Sequence, residues 1–178
     1  MFESVIHFWF EELTPQQWFA KDVELDQQIA KRFGTLHEQV AAGECFTWRD
    51  DPLGSLAEVI VLDQFSRNIF RDTAQSFAFD GMALSLAQFA ISKGQDKALT
   101  DTQRVFLYMP YMHSESRVIH QHALTLFEAL GIENNLEYEK KHKAIIDQFG
   151  RYPHRNAILG RQSTPEEMAF LQQPGSGF

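Results

Sequence analysis

Three times in this chain an N-capping side chain stands directly before a proline: Thr14-Pro15, Asp51-Pro52 and Thr164-Pro165. A Thr or Asp oxygen can accept from the unpaired N–H groups that open a helix. Proline at the first helical position loses nothing, because its missing N–H would have no partner there. Each pair therefore predicts a helix start. The third also has Glu167 three residues after the threonine, as a capping box requires. Strand signals are weak by comparison, since no Asn-Gly or Asp-Gly joins two alternating β-branched runs.

The apolar pattern agrees. Val23, Ile29, Phe33, Leu36 and Val40 recur at helical spacing, as do Val118, Ala123, Leu126, Phe127 and Leu130. Together these signals place helices at about 2–13, 22–42, 52–69, 74–93, 101–112, 115–130, 134–149 and 165–172. Residues 56–62 are apolar nearly all round, which marks the third helix as the central one. Short connections favour antiparallel neighbours, so the expected class is all-α: stacked helical hairpins or an up-down bundle of seven to eight helices. A chain of 178 residues with 44% hydrophobic content and 16 Phe suits a single packed domain over 1–172, with 173–178 as a flexible tail.

Charge and motif content narrow the function classes. A formal charge of −8 opposes non-specific binding to nucleic acid or anionic lipid. The longest apolar run, 106–112, is far short of the ~20 residues a membrane helix needs. One cysteine, Cys45, cannot form an internal disulfide, and the N-terminus lacks a basic segment before an apolar core, which points to the cytoplasm. Cys45, beside Phe46 and Trp48, reads as a packed thiol. Nucleotide-binding, hydrolase and zinc-protease motifs do not occur. His113, His120 and His122 are close in sequence, but His120 and His122 point about 200° apart on a helix, so no metal or other cofactor is expected.

The chemistry-bearing feature is a phrase that occurs twice: Asp63-Gln64-Phe65-Ser66-Arg67-Asn68 and, 84 positions on, Asp147-Gln148-Phe149-Gly150-Arg151. Each copy follows an apolar run. If the first copy is helical, Asp63, Arg67 and Arg71 share a stripe in which Asp63 and Arg67 form an i,i+4 ion pair. In the second copy Gly150 and Pro153 should end the helix, leaving Asp147 in a last turn where the dipole disfavours an acid. Asp147 thus needs a partner, for which an arginine of the first copy is a candidate. No acid occurs between Gln148 and Pro165, so Arg151, Arg155 and Arg161, with Arg71, form a surplus of cation. Arginine suits bidentate contact with carboxylate or phosphate, and Arg67, Asn68, Arg71, Arg151, His154, Arg155, Asn156 and Arg161 are candidate ligand-binding residues. His113 and Glu115 join them: Pro110 interrupts the preceding helix, Ser114 caps the next, and the pair stands near that helix's N-terminus, where Glu115 either complements the helix start or works with His113 as acid and base.

These residues resemble a family of bacterial proteins grouped as domain of unknown function 924. The likeness runs through Phe8-Trp9-Phe10, Trp18-Phe19, the phrase from Leu62 to Arg71, Phe106-Leu107-Tyr108-Met109-Pro110, His113-Ser114-Glu115 and the run from Arg155 to Arg161. Ser66 stands where the family often has proline, and His120 where it often has glutamine. The resemblance implies an all-helical, tetratricopeptide-like right-handed array and no particular reaction.

Three functions fit the residues. One is a helical-repeat binding protein whose arginines hold an anionic small molecule or a carboxylate-terminated peptide. The second is an enzyme acting on an anionic metabolite, with His113 or His154 as acid or base oriented by Glu115 or Asp63. The third is a structural or interaction module, its surplus aromatics suited to a homodimer, in which the arginines brace the fold.

Overall fold

The computed structural model describes residues 1–177, and Phe178, the end of the expected tail, lies outside them. Among the described residues there is no strand, and eight helices carry the fold. Helix α1 joins Phe2–His7 to a π-helical stretch Phe8–Glu12. Helix α2 is Val23–Ala41. Helix α3 runs through Pro52–Ile60, a π-helical turn Val61–Phe65 and a last turn Ser66–Ile69. Then come α4 at Asp80–Ser92, α5 at Asp101–Met112, α6 at Arg117–Leu130, α7 at Glu133–Phe149 and α8 at Pro165–Leu171.

Two of the cap-proline pairs act as their chemistry predicts. Asp51 accepts from the Leu53 and Gly54 amides to open α3, and Thr164 forms a reciprocal capping box with Glu167 to open α8. Thr14-Pro15 does not start a helix. Residues 15–19 form turns, with Thr14 capped by Gln17, and the cap of α2 is Asp22, whose carboxylate accepts from Glu24 and Leu25. The expected helix over 74–93 begins only at Asp80, after a 3-10 turn Ala74–Phe77. Pro110 does not interrupt α5, which continues to Met112; proline costs it one i→i−4 bond. The cap of α6 is Ser116, which accepts from the Ile119 amide, and not Ser114.

The chain parts into two compact units, Met1–Arg71 with Gln75–Pro110, and Asp72–Ala74 with the residues from Tyr111. In the first unit α1 and α4 pack on α3, and α2 packs on residues 61–69. Every residue from Leu56 to Asp63 is fully buried, so α3 is the central helix its composition implies. Gly54 makes that packing possible, because a Cβ there would stand 2.1 Å from the Trp48 carbonyl oxygen. Phe8, Trp9 and Phe33 pack on Phe65 of α3, Phe8 edge to face and the other two tilted.

In the second unit α6 and α7 form a packed helical pair joined through Gly131, which turns at φ 75. Arg117, at the start of α6, donates to the Ile146 and Asp147 carbonyls and so satisfies the free end of α7. Ile145, Ile146 and Tyr152 make the core here, with Phe149 and Phe170 against them.

Candidate functional site

The candidate residues divide between the units, with Asp63, Arg67, Asn68 and Arg71 in the first and the others in the second. In the first unit Asp63 sits in the π-helical turn of α3. Its carboxylate lies 3.1 Å from Arg67 and accepts from Gln64. Arg67 also donates to the Asp63 carbonyl and reaches Asp80 at 3.1 Å. Arg71 does not continue the stripe, because α3 ends at Ile69 and Phe70 leaves helical geometry. It turns instead to Asp26 on α2, its Nε and Nη2 holding both carboxylate oxygens at 2.5 and 2.7 Å, while Asn68 donates to the same acid. Burial works to raise the Asp26 carboxyl, but the Arg71 and Asn68 hydrogen bonds outweigh it and hold the group below its ordinary range.

In the second unit the stretch after α7 is tied down by two more bidentate pairs. Arg151 donates to both oxygens of Glu167 at 2.6 and 2.8 Å, and to the Gln162 carbonyl. The Arg151 hydrogen bonds, with those of the Thr164 amide and Asn156, lower Glu167 to about 2. Arg161 grips Glu115 at 2.6 and 2.8 Å, and Glu115 also accepts from the Tyr152 amide. Burial pushes the Glu115 carboxyl up, yet these contacts prevail and lower it. Arg155 is buried, its guanidinium 4.8 Å from the centre of the Tyr152 ring, and the His154 ring tilts against that ring at 5.5 Å.

These contacts correct three expectations. The surplus of cation is not a free surplus: Arg71, Arg151 and Arg161 each hold a complete carboxylate. Asp147 takes Lys143, one turn back on its own helix, and no arginine of the first copy. Glu115 does more than complement a helix start, since it lies outside α6 and anchors Arg161 and Tyr152.

The sequence reading missed the most deeply buried polar group of the second unit. His120 Nδ1 lies 2.8 Å from Glu139 Oε1, and both side chains are fully buried. His120 Nε2 is 2.8 Å from the Ser114 carbonyl and 3.2 Å from the Tyr152 hydroxyl, which donates to the Met112 carbonyl. His142, also buried, is held down to about 3 by desolvation, against the pull of its bond to the Tyr138 carbonyl. A signal for Glu139 existed: it shares a helical stripe with His142 and Ile146, the inward face of α7. Among the described residues no group of three or more His, Cys, Asp or Glu is arranged to hold a metal ion, and no helix is long and apolar enough to cross a membrane.

Known proteins place this arrangement. A solved structure of a protein of unknown function from Agrobacterium tumefaciens is 38% identical and superposes with a TM-score of 0.92, covering 96% of each chain. No curated protein matches the chain. The model of a family described as bacterial proteins of unknown function, DUF924, matches residues 5–175, and the chain belongs to that family.

Proposed function

We propose that the chain is a helical protein-interaction module in which the arginines of the repeated phrase brace the fold. The observation that carries this reading is an aromatic cluster on the first unit. Phe106 is buried, with Phe10 and Trp18 edge-on to it at 5.5 and 5.0 Å, and Phe19 stacks on it at 6.3 Å while remaining 67% exposed. An aromatic ring held in place from beneath and open above is what a partner surface offers. The partner is a protein, a second copy of the chain included, and the setting is the cytoplasm. The hairpin of α6 and α7 supports a tetratricopeptide-like arrangement of stacked helix pairs.

The competing readings lose their parts. As an anion site, the cluster would need cations that Asp26, Glu167 and Glu115 already occupy. As an acid-base enzyme, it would need Glu115 or Asp63 to orient a histidine, and both carboxylates serve arginines. One anion-binding reading keeps a specific observation: Arg155 and His154 both pack on Tyr152, a preorganised edge for a carboxylate or phosphate.

Two measurements test the proposal together. Wild type and Phe19→Ser serve as bait for association, and both are heated with dicarboxylates, phosphorylated metabolites and short peptides. The module reading expects a partner or self-association lost in Phe19→Ser at unchanged melting temperature, with no response to anions. A ligand at ~100 times its Kd adds about 2.7 kcal/mol. An anion producing a shift of that order in wild type but none in Arg155→Ala, with Phe19→Ser associating as wild type does, replaces the module by an anion-binding protein.

A further inference from the structure

Inside the second unit the contacts of His120 fix its protons by elimination. The Ser114 carbonyl oxygen 2.8 Å from Nε2 can only accept, so Nε2 carries hydrogen. The Tyr152 hydroxyl gives its own hydrogen to the Met112 carbonyl, so at 3.2 Å it too can only accept from Nε2. On the other side, Nδ1 and Glu139 Oε1 approach to 2.8 Å, a distance that needs one proton between them. That proton sits either on Nδ1, as a buried imidazolium facing a carboxylate, or on Oε1, as a carboxylic acid facing a neutral imidazole. The second carboxylate oxygen decides between them: Glu139 Oε2 is buried and has no hydrogen-bond partner. An ionised carboxylate with one oxygen buried and unpartnered is costly, whereas the carbonyl oxygen of an unionised acid tolerates that position far better.

We propose that His120 and Glu139 form a neutral proton-holding latch, in which the un-ionised Glu139 donates to Nδ1 and the Nε2–H in turn holds the segment between α5 and α6 through the Ser114 carbonyl. The charged and titratable groups around the pair are Lys143 and Asp147 on α7, which act on Glu139, His142 on α7, which acts on and is acted on by His120 and has His113 and His154 beyond it, and Tyr152, which packs on His120 and whose amide holds Glu115. Tyr152 is buried with its hydroxyl donating to the Met112 carbonyl, and burial disfavours charge on His142. Burial likewise raises Glu139, against its hydrogen bond with His120 and the charge of nearby Lys143. The sign follows. A carboxyl raised on folding binds more protons in the native than in the unfolded chain, so its contribution is full below the ordinary carboxylate range and is lost as pH rises through the folded value. Removing the proton leaves two lone pairs facing each other across 2.8 Å, and the latch opens.

Nitrogen NMR of the histidine rings in the wild-type chain reads the proton directly. The latch requires His120 to show one protonated and one bare, hydrogen-bond-accepting nitrogen through neutral pH. A ring protonated at both nitrogens overturns it. A second arm uses Glu139→Gln, whose amide N–H replaces the acid O–H as donor to Nδ1 without being able to ionise. Between about pH 5 and about pH 9 the melting temperature of the variant should climb relative to wild type. A difference that stays constant or falls with pH overturns the latch, and the wild-type NMR decides the matter even should the variant not fold.

Discussion

The two copies of Asp-Gln-Phe-x-Arg are nearly the same words in different structures. In the first, Ser66 stands after the phenylalanine, α3 continues, and Asp63 and Arg67 meet one turn apart with the acid fully buried. In the second, Gly150 stands there and turns to φ 71, so α7 ends and Arg151 is carried away from Asp147 to Glu167, 16 residues on. Asp147 is left 47% exposed beside Lys143. One residue, able or unable to adopt the left-handed conformation without strain, decides whether an i,i+4 ion pair forms or the chain leaves the helix. A repeated phrase in a sequence is thus not a repeated site.

The sharpest way to break this comparison is to remove the same acid from both copies. Asp63→Ala strips a buried carboxylate from Arg67 and should cost about 3 kcal/mol, the low end of the range for breaking a buried pair from one side, because Arg67 keeps Asp80. Urea unfolding measures it. If the loss is no greater than that of the matching change at Asp147, the first copy does not brace the fold.

Next in size is Glu167, the acid that Arg151 found in place of Asp147. Glu167→Gln weakens contacts from Arg151, Asn156 and the Thr164 amide and should cost about 1.5–3 kcal/mol at neutral pH. Since the folded value is lowered to about 2, the stability it contributes is present above the ordinary carboxylate range and is lost as pH falls toward that value. The gap in melting temperature between wild type and variant should therefore be wide at pH ~7 and close in acid. A gap independent of pH would mean that Glu167 acts through shape and not through charge.

How much of this was legible beforehand follows from range. The caps at Asp51 and Thr164 could be read because a cap and its helix are adjacent in sequence, and central α3 could be read because its burial is written in seven consecutive residues. Thr14 misled for the same local reason: its amide and hydroxyl both donate to the Gln17 side chain, and Asp22 opens the next helix so soon that only turns fit between them. Of the arginine pairs only Asp63–Arg67 was legible, because its partners stand one turn apart on one helix. Arg71 finds Asp26 and Arg161 finds Glu115 at separations of 45 and 46 residues, so counting neighbouring acids counted the wrong ones. The His120–Glu139 pair was hidden differently, because each residue alone is an ordinary polar position and only the packing of α6 on α7 brings them together.

A smaller effect isolates the switch itself. Gly150→Ala forces a Cβ into the left-handed region and should cost about 1–2 kcal/mol, with nothing but the Arg117 side chain within van der Waals reach of the new carbon. Ser66→Gly, the reciprocal change, loses the hydrogen bond with His37 at 2.8 Å and adds glycine's helix penalty of about 1 kcal/mol. Alanine at 150 costing nothing would show that the end of α7 is set by Pro153 and the Arg151 pair, with glycine only incidental.

Smallest of all is the change at the exposed acid. Asp147→Asn leaves the helix intact and removes the exposed partner of an i,i+4 pair, whose reach is further cut by salt, so the cost should stay within about 0.5 kcal/mol. The acid also sits in the last turn of α7, where the negative end of the helix dipole opposes it, so removing its charge recovers part of what the Lys143 contact supplied. The two terms nearly cancel, and raising the ionic strength should leave wild type and variant indistinguishable by urea unfolding. A loss approaching that of Asp63→Ala would place an unrecognised partner on Asp147 and make the two copies equivalent after all.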